Sequence, residues 1–269
     1  MTPESKTMMQ DVHVVVANPA GNITIMVLDE IRQNEKLYIA TRLLGYPEWN
    51  AEQVGFVVSP VHGGMGRLEM MGGEFCGNAT RSYGYYLAAV RGMTEGAVLV
   101  ELSGTDALLQ VDANLREQTA WTQMPVPHKI EQIYLSEIGT VPVIHMDGIL
   151  HIIMEDIVPL DRMTQQIIEE MNRIYRPPAT GVLYVQGQNL HPMVYVKATN
   201  TLVAENSCGS GSIAYAYYLA RNTVTGICCA SIEQPGGMIE TEIVKEAGEI
   251  KTCRMGGQIS MSAIMTVRL

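Results

Sequence analysis

The first half of the chain alternates short β-branched runs with helical segments. Apolar residues at 12–16 and 23–28 flank a turn at 18–22, which predicts a β-hairpin. Apolar side chains near helical spacing predict a helix over 29–44, ended by a Gly-Tyr-Pro sequence. The further predicted strands are 53–58, 66–70, 97–102 and 107–111. A stretch at 122–128 with two prolines indicates a linker.

The second half repeats this order of elements. Its pattern predicts a helix over 160–175, which a Pro-Pro sequence stops. The predicted strands are 141–145, 150–154, 181–185, 193–197, 226–232 and 238–244. Each half therefore contains a strand pair, a helix, strands, a second helix and further strands, where the second helix is the one that follows Cys76 or Cys208.

Two segments of the chain are copies of each other. Residues 76–88 and 208–220 are identical at 7 of 13 positions without a gap, and Cys208 follows Cys76 by 132 residues. Each segment opens with Cys-Gly and continues into a Tyr- and Leu-containing run at helical spacing. Neither segment is low in complexity. A duplicated domain with pseudo-two-fold symmetry is therefore the economical interpretation.

Composition restricts the class of protein. The 269 residues suffice for two domains, each with its own core. Lys and Arg number 18 against 28 Asp and Glu, and the net charge of −10 argues against a nucleic-acid partner or an anionic membrane surface. The chain has no apolar run of membrane-spanning length, and its start lacks the features of a signal peptide. We therefore expect a cytoplasmic protein whose five cysteines are reduced thiols.

Signatures of metals and nucleotide cofactors are missing from the sequence. None of the six histidines stands at zinc-ligand spacing from another. The Gly-rich stretch 62–66 lacks the Lys-Ser/Thr ending of a phosphate-binding loop. The sequence thus predicts no metal and no cofactor.

The two repeated cysteines are the candidate reactive groups. Each lies at the start of a predicted helix, where unpaired N–H groups and the positive end of the helix dipole stabilise a thiolate. We expect these effects to lower the pKa of Cys76 and Cys208. Gly77 and Gly209 would leave the same N–H groups free to bind a carboxylate. Small polar residues that can cap the helices and line the pocket are Asn78, Thr80, Ser210 and Ser212.

Two opposed thiols suit racemisation at the α-carbon of an amino acid. One thiolate removes the α-proton from one face, and the opposite thiol returns a proton to the other face. Two helix N-termini would stabilise the charge that develops on the carboxylate. The alternative is a structural cysteine beside a tight turn, but the same residue at matching places in both copies argues against it.

Three stretches carry a resemblance to a known family. They are Ala-Gly-Asn at 20–22, Gly-Gly-Glu-Phe-Cys-Gly-Asn-Ala at 72–79 and Glu-Asn-Ser-Cys-Gly-Ser-Gly at 205–211. With this order and spacing, the chain resembles the diaminopimelate-epimerase-like family of cofactor-independent amino-acid racemases and epimerases. The resemblance extends over nearly the whole chain.

The resemblance implies an α/β (α+β) fold of two similar duplicated domains, each a curved, mainly antiparallel sheet or barrel around a central helix. The domains would comprise residues 1–127 and 128–256, and the last strand, within 257–269, would return to the first domain. The active site would lie between the domains, with Cys76 and Cys208 as the acid/base pair and an amino acid as the small-molecule substrate. No pyridoxal phosphate would be needed. We further expect a homodimer.

Departures from the family pattern narrow the choice of substrate. Diaminopimelate epimerases carry an Arg ahead of the second Cys that holds the distal carboxylate, and residues 196–205 contain none. Ile149 and Glu69 each stand where that family has an Asn. The pattern is similar to the histidine racemases that supply D-histidine for opine-type metallophores, and Glu69 would accept a hydrogen bond from the imidazole. The expected substrate-binding residues are Asn22, Gln53, Glu69, Gly77, Asn78, Glu205, Gly209 and Ser210.

Other functions remain open at this point. The substrate could be diaminopimelate or another amino acid. A phenazine-biosynthesis-like isomerase would use a carboxylate rather than a thiol pair, and the second Cys-Gly-Ser-Gly sequence argues against it. A non-catalytic small-molecule-binding protein or thiol sensor is the alternative from a different class.

Overall fold

The computed structural model describes residues 11–136 and 138–269. The sequence pattern predicts a frayed tail for the first ten residues, and this segment lies outside the described ranges. Within them the chain forms a mostly-sheet α+β fold with few helices, which confirms the predicted fold class.

The elements of the first half alternate strands with two helices. They are β1 (Asp11–Asn18), β2 (Thr24–Val27), α1 (Gln33–Leu44), β3 (Gln53–Val58), β4 (Arg67–Met70), α2 (Gly77–Val90), β5 (Glu95–Leu102), β6 (Leu109–Asn114) and β7 (Thr119–Met124).

The second half continues the chain and is followed by two short strands. Its elements are β8 (Lys129–Leu135), β9 (Gly139–Met146), β10 (Ile149–Glu155), α3 (Asp161–Ile174), β11 (Ala179–Gln186), β12 (Asn189–Val196), β13 (Thr201–Ala204), α4 (Gly209–Leu219), a 3-10 turn (Ala220–Asn222), β14 (Gly226–Gln234), β15 (Gly237–Glu246) and β16 (Glu249–Gly256). The short strands are β17 (Ser260–Met261) and β18 (Met265–Arg268).

Both halves follow the same pairing order. Strand β2 pairs antiparallel with β1 and parallel with β3, which pairs antiparallel with β4. Strand β10 likewise pairs antiparallel with β9 and parallel with β11, which pairs antiparallel with β12. A buried helix and a three-stranded meander then follow, α2 with β5–β7 and α4 with β14–β16. The repeat in the sequence is therefore also a repeat in topology.

Two connections join the halves. Strand β7 pairs antiparallel with β16, which places Met124 opposite Cys253. After β16 the chain crosses through Gly257 and Gln258 to β17 and β18, which pair antiparallel with β1. These strands lie beside β1 as β8 lies beside β9. The domain boundaries at residues 127 and 256 stay a prediction.

The two kinds of helix differ in how much of their surface is buried. Helix α3 buries one stripe, formed by Thr164, Ile167, Ile168 and Met171, which is the spacing of an amphipathic surface helix. Helix α2 buries most of its residues, because it packs inside the curve of β5, β6 and β7. The start of α2, with Cys76, is therefore an interior position. No helix among the described residues has the length and apolar character needed to cross a membrane.

The predicted linker at 122–128 is wrong for residues 122–124, whereas residues 125–128 do connect β7 to β8 outside any strand. Strand β7 continues to Met124, and Ala120, Thr122 and Met124 are buried in strand alternation. Pro125 follows the last strand residue, where its missing N–H breaks no ladder hydrogen bond. The two halves thus share a strand pair at this point.

The sequence pattern also misplaced one helix start and missed several strands. Helix α1 begins at Gln33 rather than at residue 29, because Asp29 is held by His13, with 3.0 Å between Oδ1 and Nδ1. Strands β8, β13 and β16 were not predicted. Their burial alternates weakly, so their apolar periodicity is faint.

Candidate active site

The two repeated cysteines are the N-cap residues of the two interior helices. Cys76 has extended backbone angles ahead of α2, and its Sγ accepts a hydrogen bond from the Ala79 N–H at 3.4 Å. Cys208 holds the same extended conformation ahead of α4. The predicted placement of both cysteines at helix N-termini is confirmed.

The two helix starts converge on one methionine. A Cβ on Gly77 would lie 2.7 Å from the Met255 Sδ, and a Cβ on Gly209 would lie the same distance from it. A side chain at either position would overlap this thioether unless the methionine shifts. The helix N-termini, and with them Cys76 and Cys208, therefore belong to one site between the halves.

Side chains of β2, of β3 and of the loop before β2 surround Cys76. The Gln53 Nε2 donates to the Cys76 Sγ at 3.2 Å. The same nitrogen lies 2.7 Å from the Asn22 Oδ1 and 2.8 Å from the Thr24 Oγ1, so its two hydrogens are shared among three acceptors. The Asn22 Oδ1 lies 3.9 Å from the thiol sulfur. The structure thus places the predicted site residues Asn22 and Gln53 beside Cys76.

A different set of side chains surrounds Cys208. The Ser210 Oγ lies 3.6 Å from its Sγ and 3.0 Å from the Nε2 of His151. The backbone N–H of Cys208 donates to the Gln234 Oε1 at 2.7 Å. The Glu205 carboxylate also acts on the thiol electrostatically. The predicted residues Ser210 and Glu205 lie beside Cys208, whereas His151 and Gln234 were not predicted.

Two hydrogen-bonded bridges close the site between the halves. The Glu52 carboxylate accepts from Asn22 Nδ2 at 2.5 Å and from Asn206 Nδ2 at 2.6 Å. The predicted residue Asn78 donates through Nδ2 to the Ser207 Oγ at 3.3 Å. Sequence reasoning missed Glu52, Asn206 and Ser207. In the sequence these residues stand out only because they are next to predicted site residues, and such adjacency does not reveal a contact between the two halves.

Burial dominates the titration of both thiols. It raises the pKa of Cys76 to about 11, against the opposing effect of the Ala79 and Gln53 donors. Burial also raises the pKa of Cys208 well above its ordinary value, and the Glu205 carboxylate raises it further. The expectation of lowered thiol pKa values is therefore wrong for the closed site. Loss of hydration outweighs the helix N-terminus when the cleft excludes water.

One carboxyl group in the site titrates near neutrality. Burial raises the pKa of Glu205 to about 7, and the charge on Glu52 adds to the shift. A carboxyl group of this kind exchanges protons within the physiological range.

Glu69 does not belong to the site. Its carboxylate accepts a hydrogen bond from the Lys36 Nζ of α1 at 2.5 Å. Glu69 pairs with Phe56, whose ring packs with α1, whereas its neighbours Leu68 and Met70 pack with α2. Successive strand residues point to opposite faces, so Glu69 faces away from Cys76. The expected contact between Glu69 and a substrate imidazole is thereby corrected.

Metal-ligating side chains do not gather anywhere in the described part of the chain. No group of three His, Cys, Asp or Glu residues in these ranges is arranged to hold an ion. The chemistry that this site can perform with its own side chains is proton transfer by two thiols and one carboxyl group, with hydrogen-bond donors at two helix starts.

Solved structures share this fold. A probable proline racemase from Agrobacterium radiobacter K84 superposes with a TM-score of 0.69 at 13% identity, over 95% of this chain and 92% of that chain. A putative phenazine biosynthesis PhzC/PhzF protein from Clostridium difficile (strain 630) gives a TM-score of 0.66 at 13% identity, over 96% of this chain and 100% of that chain. The fold is thus the one found in racemases, epimerases and PhzF-type proteins.

Sequence comparison gives the family. The family described as "Histidine racemase CntK N-terminal domain" matches residues 11–267. The histidine racemase of Staphylococcus aureus (strain Mu50) is 30% identical over 82% of this chain and 85% of that protein. The histidine racemase of Fusobacterium nucleatum (strain ATCC 23726) is 30% identical over 86% of this chain and 89% of that protein. The protein is an isomerase of the amino-acid racemase class. It belongs to the histidine racemase family.

Proposed function

We propose that this protein interconverts L- and D-histidine by a two-base mechanism in which Cys76 and Cys208 exchange protons with the α-carbon. The observation that carries this proposal is the pair of cysteine N-caps whose helices converge on Met255. A single cleft then offers one thiol to each face of a bound amino acid.

Each turnover moves two protons. One cysteine, as thiolate, takes the α-proton, and the resulting carbanion takes a proton from the thiol of the other cysteine on the opposite face. The roles exchange in the reverse reaction. The thiol pKa values raised by burial make each thiolate a strong base once it forms, which suits removal of a weakly acidic α-proton.

The substrate carboxylate would be held at the helix N-termini. Backbone N–H groups beginning at Gly77 and Gly209 remain the proposed donors, with the side chains of Asn78 and Ser210 beside them. Charge that develops on the carboxylate as the α-proton leaves is stabilised by these donors.

Two observations support histidine as the substrate: the family of the protein and the acidic side chains of its site. The two relatives described above, which match more than four fifths of this chain, are histidine racemases. The chain lacks the Arg that would hold a distal carboxylate, and the site instead contains the carboxyl groups of Glu52 and Glu205. The imidazole of histidine is partly protonated near neutral pH. An acidic site therefore favours it over a second carboxylate. The D-histidine produced would serve as a building block of opine-type metallophores.

Serine substitutions test the mechanism. We expect Cys76→Ser and Cys208→Ser each to reduce racemisation by roughly 10²–10⁴-fold, the range lost with a general acid or base. The matched control is Cys229→Ser, which changes an exposed cysteine on β14. Circular dichroism would follow conversion of each enantiomer, and NMR would follow deuterium uptake at the α-carbon in D₂O. Near-normal turnover in either site variant would refute the two-base mechanism.

The same assay tests the substrate and the cofactor requirement. Purified protein should racemise histidine without added pyridoxal phosphate or metal. Faster deuterium uptake by another amino acid would show that histidine is the wrong substrate while leaving the two-thiol chemistry intact. Activity that a chelator abolishes and one metal restores would contradict the cofactor-free mechanism. Absence of exchange with every amino acid, alongside reversible thiol oxidation, would favour the thiol-sensor alternative.

A further inference from the structure

The two candidate thiols are anchored by different means. Cys76 is held through its sulfur, which accepts from the Ala79 N–H at 3.4 Å and from the Gln53 Nε2 at 3.2 Å. In the part of the second half that the structure describes, the Cys208 sulfur makes no capping bond with α4, and its Sγ lies 3.6 Å from the Ser210 Oγ. The position of the Cys208 thiol therefore depends on the backbone that carries it.

A closed ring of hydrogen bonds holds the backbone of Cys208. Its N–H donates to the Gln234 Oε1 at 2.7 Å, and the Gln234 Nε2 donates to the Ser212 Oγ at 2.8 Å. The Ser212 hydroxyl completes the ring by donating to the Cys208 carbonyl oxygen at 2.7 Å. All three side chains are buried. Because each donor in the ring meets an acceptor, the peptide groups on both sides of the Cys208 Cα are fixed.

The first half has the hydroxyl of this ring but not the amide. Thr80 stands 132 positions before Ser212, and its Oγ1 donates to the Cys76 carbonyl oxygen at 2.8 Å. The residue 132 positions before Gln234 is Leu102, which is buried in the core around α2. Leu102 ends β5 as Gln234 ends β14. The amide therefore belongs to the half whose cysteine lacks a capping bond.

Gln234 also ties Cys208 to the first half of the chain. It is the last residue of β14, and a tight turn to β15 follows it. In this turn the Gly236 N–H donates to the Asn206 carbonyl oxygen at 2.8 Å. A Cβ on Gly236 would lie 2.7 Å from the Gly21 Cα, so the turn touches the backbone of the first half. The position of Cys208 is thereby set relative to the site residues of the first half.

We propose that Gln234 is a positioning residue that holds the Cys208 thiol against its face of the substrate, a task that the contacts of the sulfur itself perform for Cys76. This inference rests on the proposed two-base mechanism and adds a residue to it. Gln234 transfers no proton, because an amide does not titrate. Its loss displaces one thiol and leaves the other in place, and a displacement of about 1 Å is enough to cost about 10²-fold in rate.

Substitution of the amide gives the first test. Gln234→Met keeps the length of the side chain but removes the acceptor for the Cys208 N–H. We expect kcat for histidine racemisation to fall on the order of 10²-fold with KM within about threefold of wild type, because proton transfer is misaligned while the substrate is still bound. The matched control is Thr241→Val, which removes a buried hydroxyl that donates to the Ala230 carbonyl oxygen at 3.0 Å. This control should lower the melting temperature and leave kcat within about twofold of wild type.

Thiol alkylation locates the effect within the site. Iodoacetamide labelling of Cys76 and Cys208 is measured in the same sample by peptide mass spectrometry. In Gln234→Met we expect the labelling rate of Cys208 to rise at least about threefold relative to that of Cys76, because a thiol whose backbone is released becomes more accessible. An equal change at both cysteines would show a general loosening of the fold, and an unchanged ratio would show that Gln234 does not hold Cys208. Either result would overturn the proposal.

A conservative variant tests the acceptor itself. Gln234→Glu keeps an oxygen for the Cys208 N–H. The Ser212 hydroxyl can turn to the second carboxylate oxygen, because the Ser212 backbone N–H still donates to the Cys208 carbonyl oxygen at 2.9 Å. We therefore expect kcat of Gln234→Glu to stay within about tenfold of wild type.

The outcomes separate a positioning role from a merely structural one. Equal losses of kcat in Gln234→Met and Gln234→Glu, or an increase in KM as large as the loss of kcat, would overturn the proposal. If Gln234→Met does not fold, Gln234→Asn replaces it, because its amide is one methylene too short to keep both bonds of the ring. Failure of the two-base mechanism would appear instead as turnover in the cysteine-to-serine variants, independently of Gln234.

Discussion

Glu52 offers the sharpest test of the closed site. Its two carboxylate oxygens accept from Asn22 Nδ2 at 2.5 Å and from Asn206 Nδ2 at 2.6 Å, and so join the first half to the second. Asn22 in turn accepts from the Gln53 amide that contacts Cys76. The substitution Glu52→Gln keeps the size of the side chain but replaces one acceptor oxygen by an NH₂ group, which cannot accept.

The expected loss follows from the bonds that remain. At most one of the two Asn donors keeps an acceptor, and the surviving bond is no longer charge-assisted. Loss of a hydrogen bond to a charged group costs about 1.5–3 kcal/mol. If this energy holds the halves together in the reacting complex, kcat/KM should fall by roughly 10- to 150-fold.

The assay compares Glu52→Gln with a matched control. Racemisation of L- and D-histidine is followed by circular dichroism, and thermal unfolding checks that each variant is folded. Glu69→Gln makes the same chemical change in a carboxylate bound to Lys36 on the outer face of the sheet. We expect histidine kinetics in Glu69→Gln within about twofold of wild type, although the unpaired Lys36 lowers stability. Normal kinetics in Glu52→Gln, or an equal loss in Glu69→Gln, would refute the reasoning.

Three further predictions follow from the geometry. A Cβ on Gly236 would lie 2.6 Å from the Ala20 carbonyl oxygen and 2.7 Å from the Gly21 Cα, so Gly236→Ala should separate the halves and lower kcat/KM on the order of 10²-fold, with an unchanged far-ultraviolet spectrum. Glu205 binds its proton more tightly when folded, so its contribution to stability is full below pH 4.5 and is lost as pH rises to about 7. Melting temperatures of Glu205→Gln should therefore fall less than those of wild type between pH 5 and 8, and parallel curves would contradict this. Gly77→Ala should lower the free energy of unfolding in urea by about 1–3 kcal/mol, because its Cβ would lie 2.5 Å from a buried thioether. An unchanged urea midpoint would count against that contact.

Features that depend on neighbours in the chain were determined by the sequence alone. The repeat at 76–88 and 208–220 placed each cysteine at a helix start, and both are N-cap residues in the structure. Helix α3 was predicted within one residue at each end, because its apolar stripe and the following Pro-Pro are local signals. The hairpin of β1 and β2 follows equally from two apolar runs around a short turn.

The side of the sheet on which a residue lies was decided by tertiary structure. Strand β3 is apolar on both faces, since Val54 and Phe56 pack with α1 while Val57 packs with α2. Its sequence therefore shows no alternation from which the site-facing side could be read. Only the pairing of Phe56 with Glu69 shows that the Glu69 carboxylate points to the outer face.

The electrostatics of the site also required the assembled fold. A helix start favours a thiolate through local N–H groups, and the sequence shows this effect. Burial disfavours the thiolate more strongly, and burial results from packing between halves whose contacts, such as that of Glu52 with Asn206, span 154 positions. Arg81 follows Asn78 by about one helical turn and donates through Nε to its Oδ1, and this spacing is likewise visible in the sequence. That the Arg81 charge is buried beside the crossover is a consequence of strands β17 and β18 returning to β1, because this return places the Gly257 and Gln258 carbonyl groups over the guanidinium.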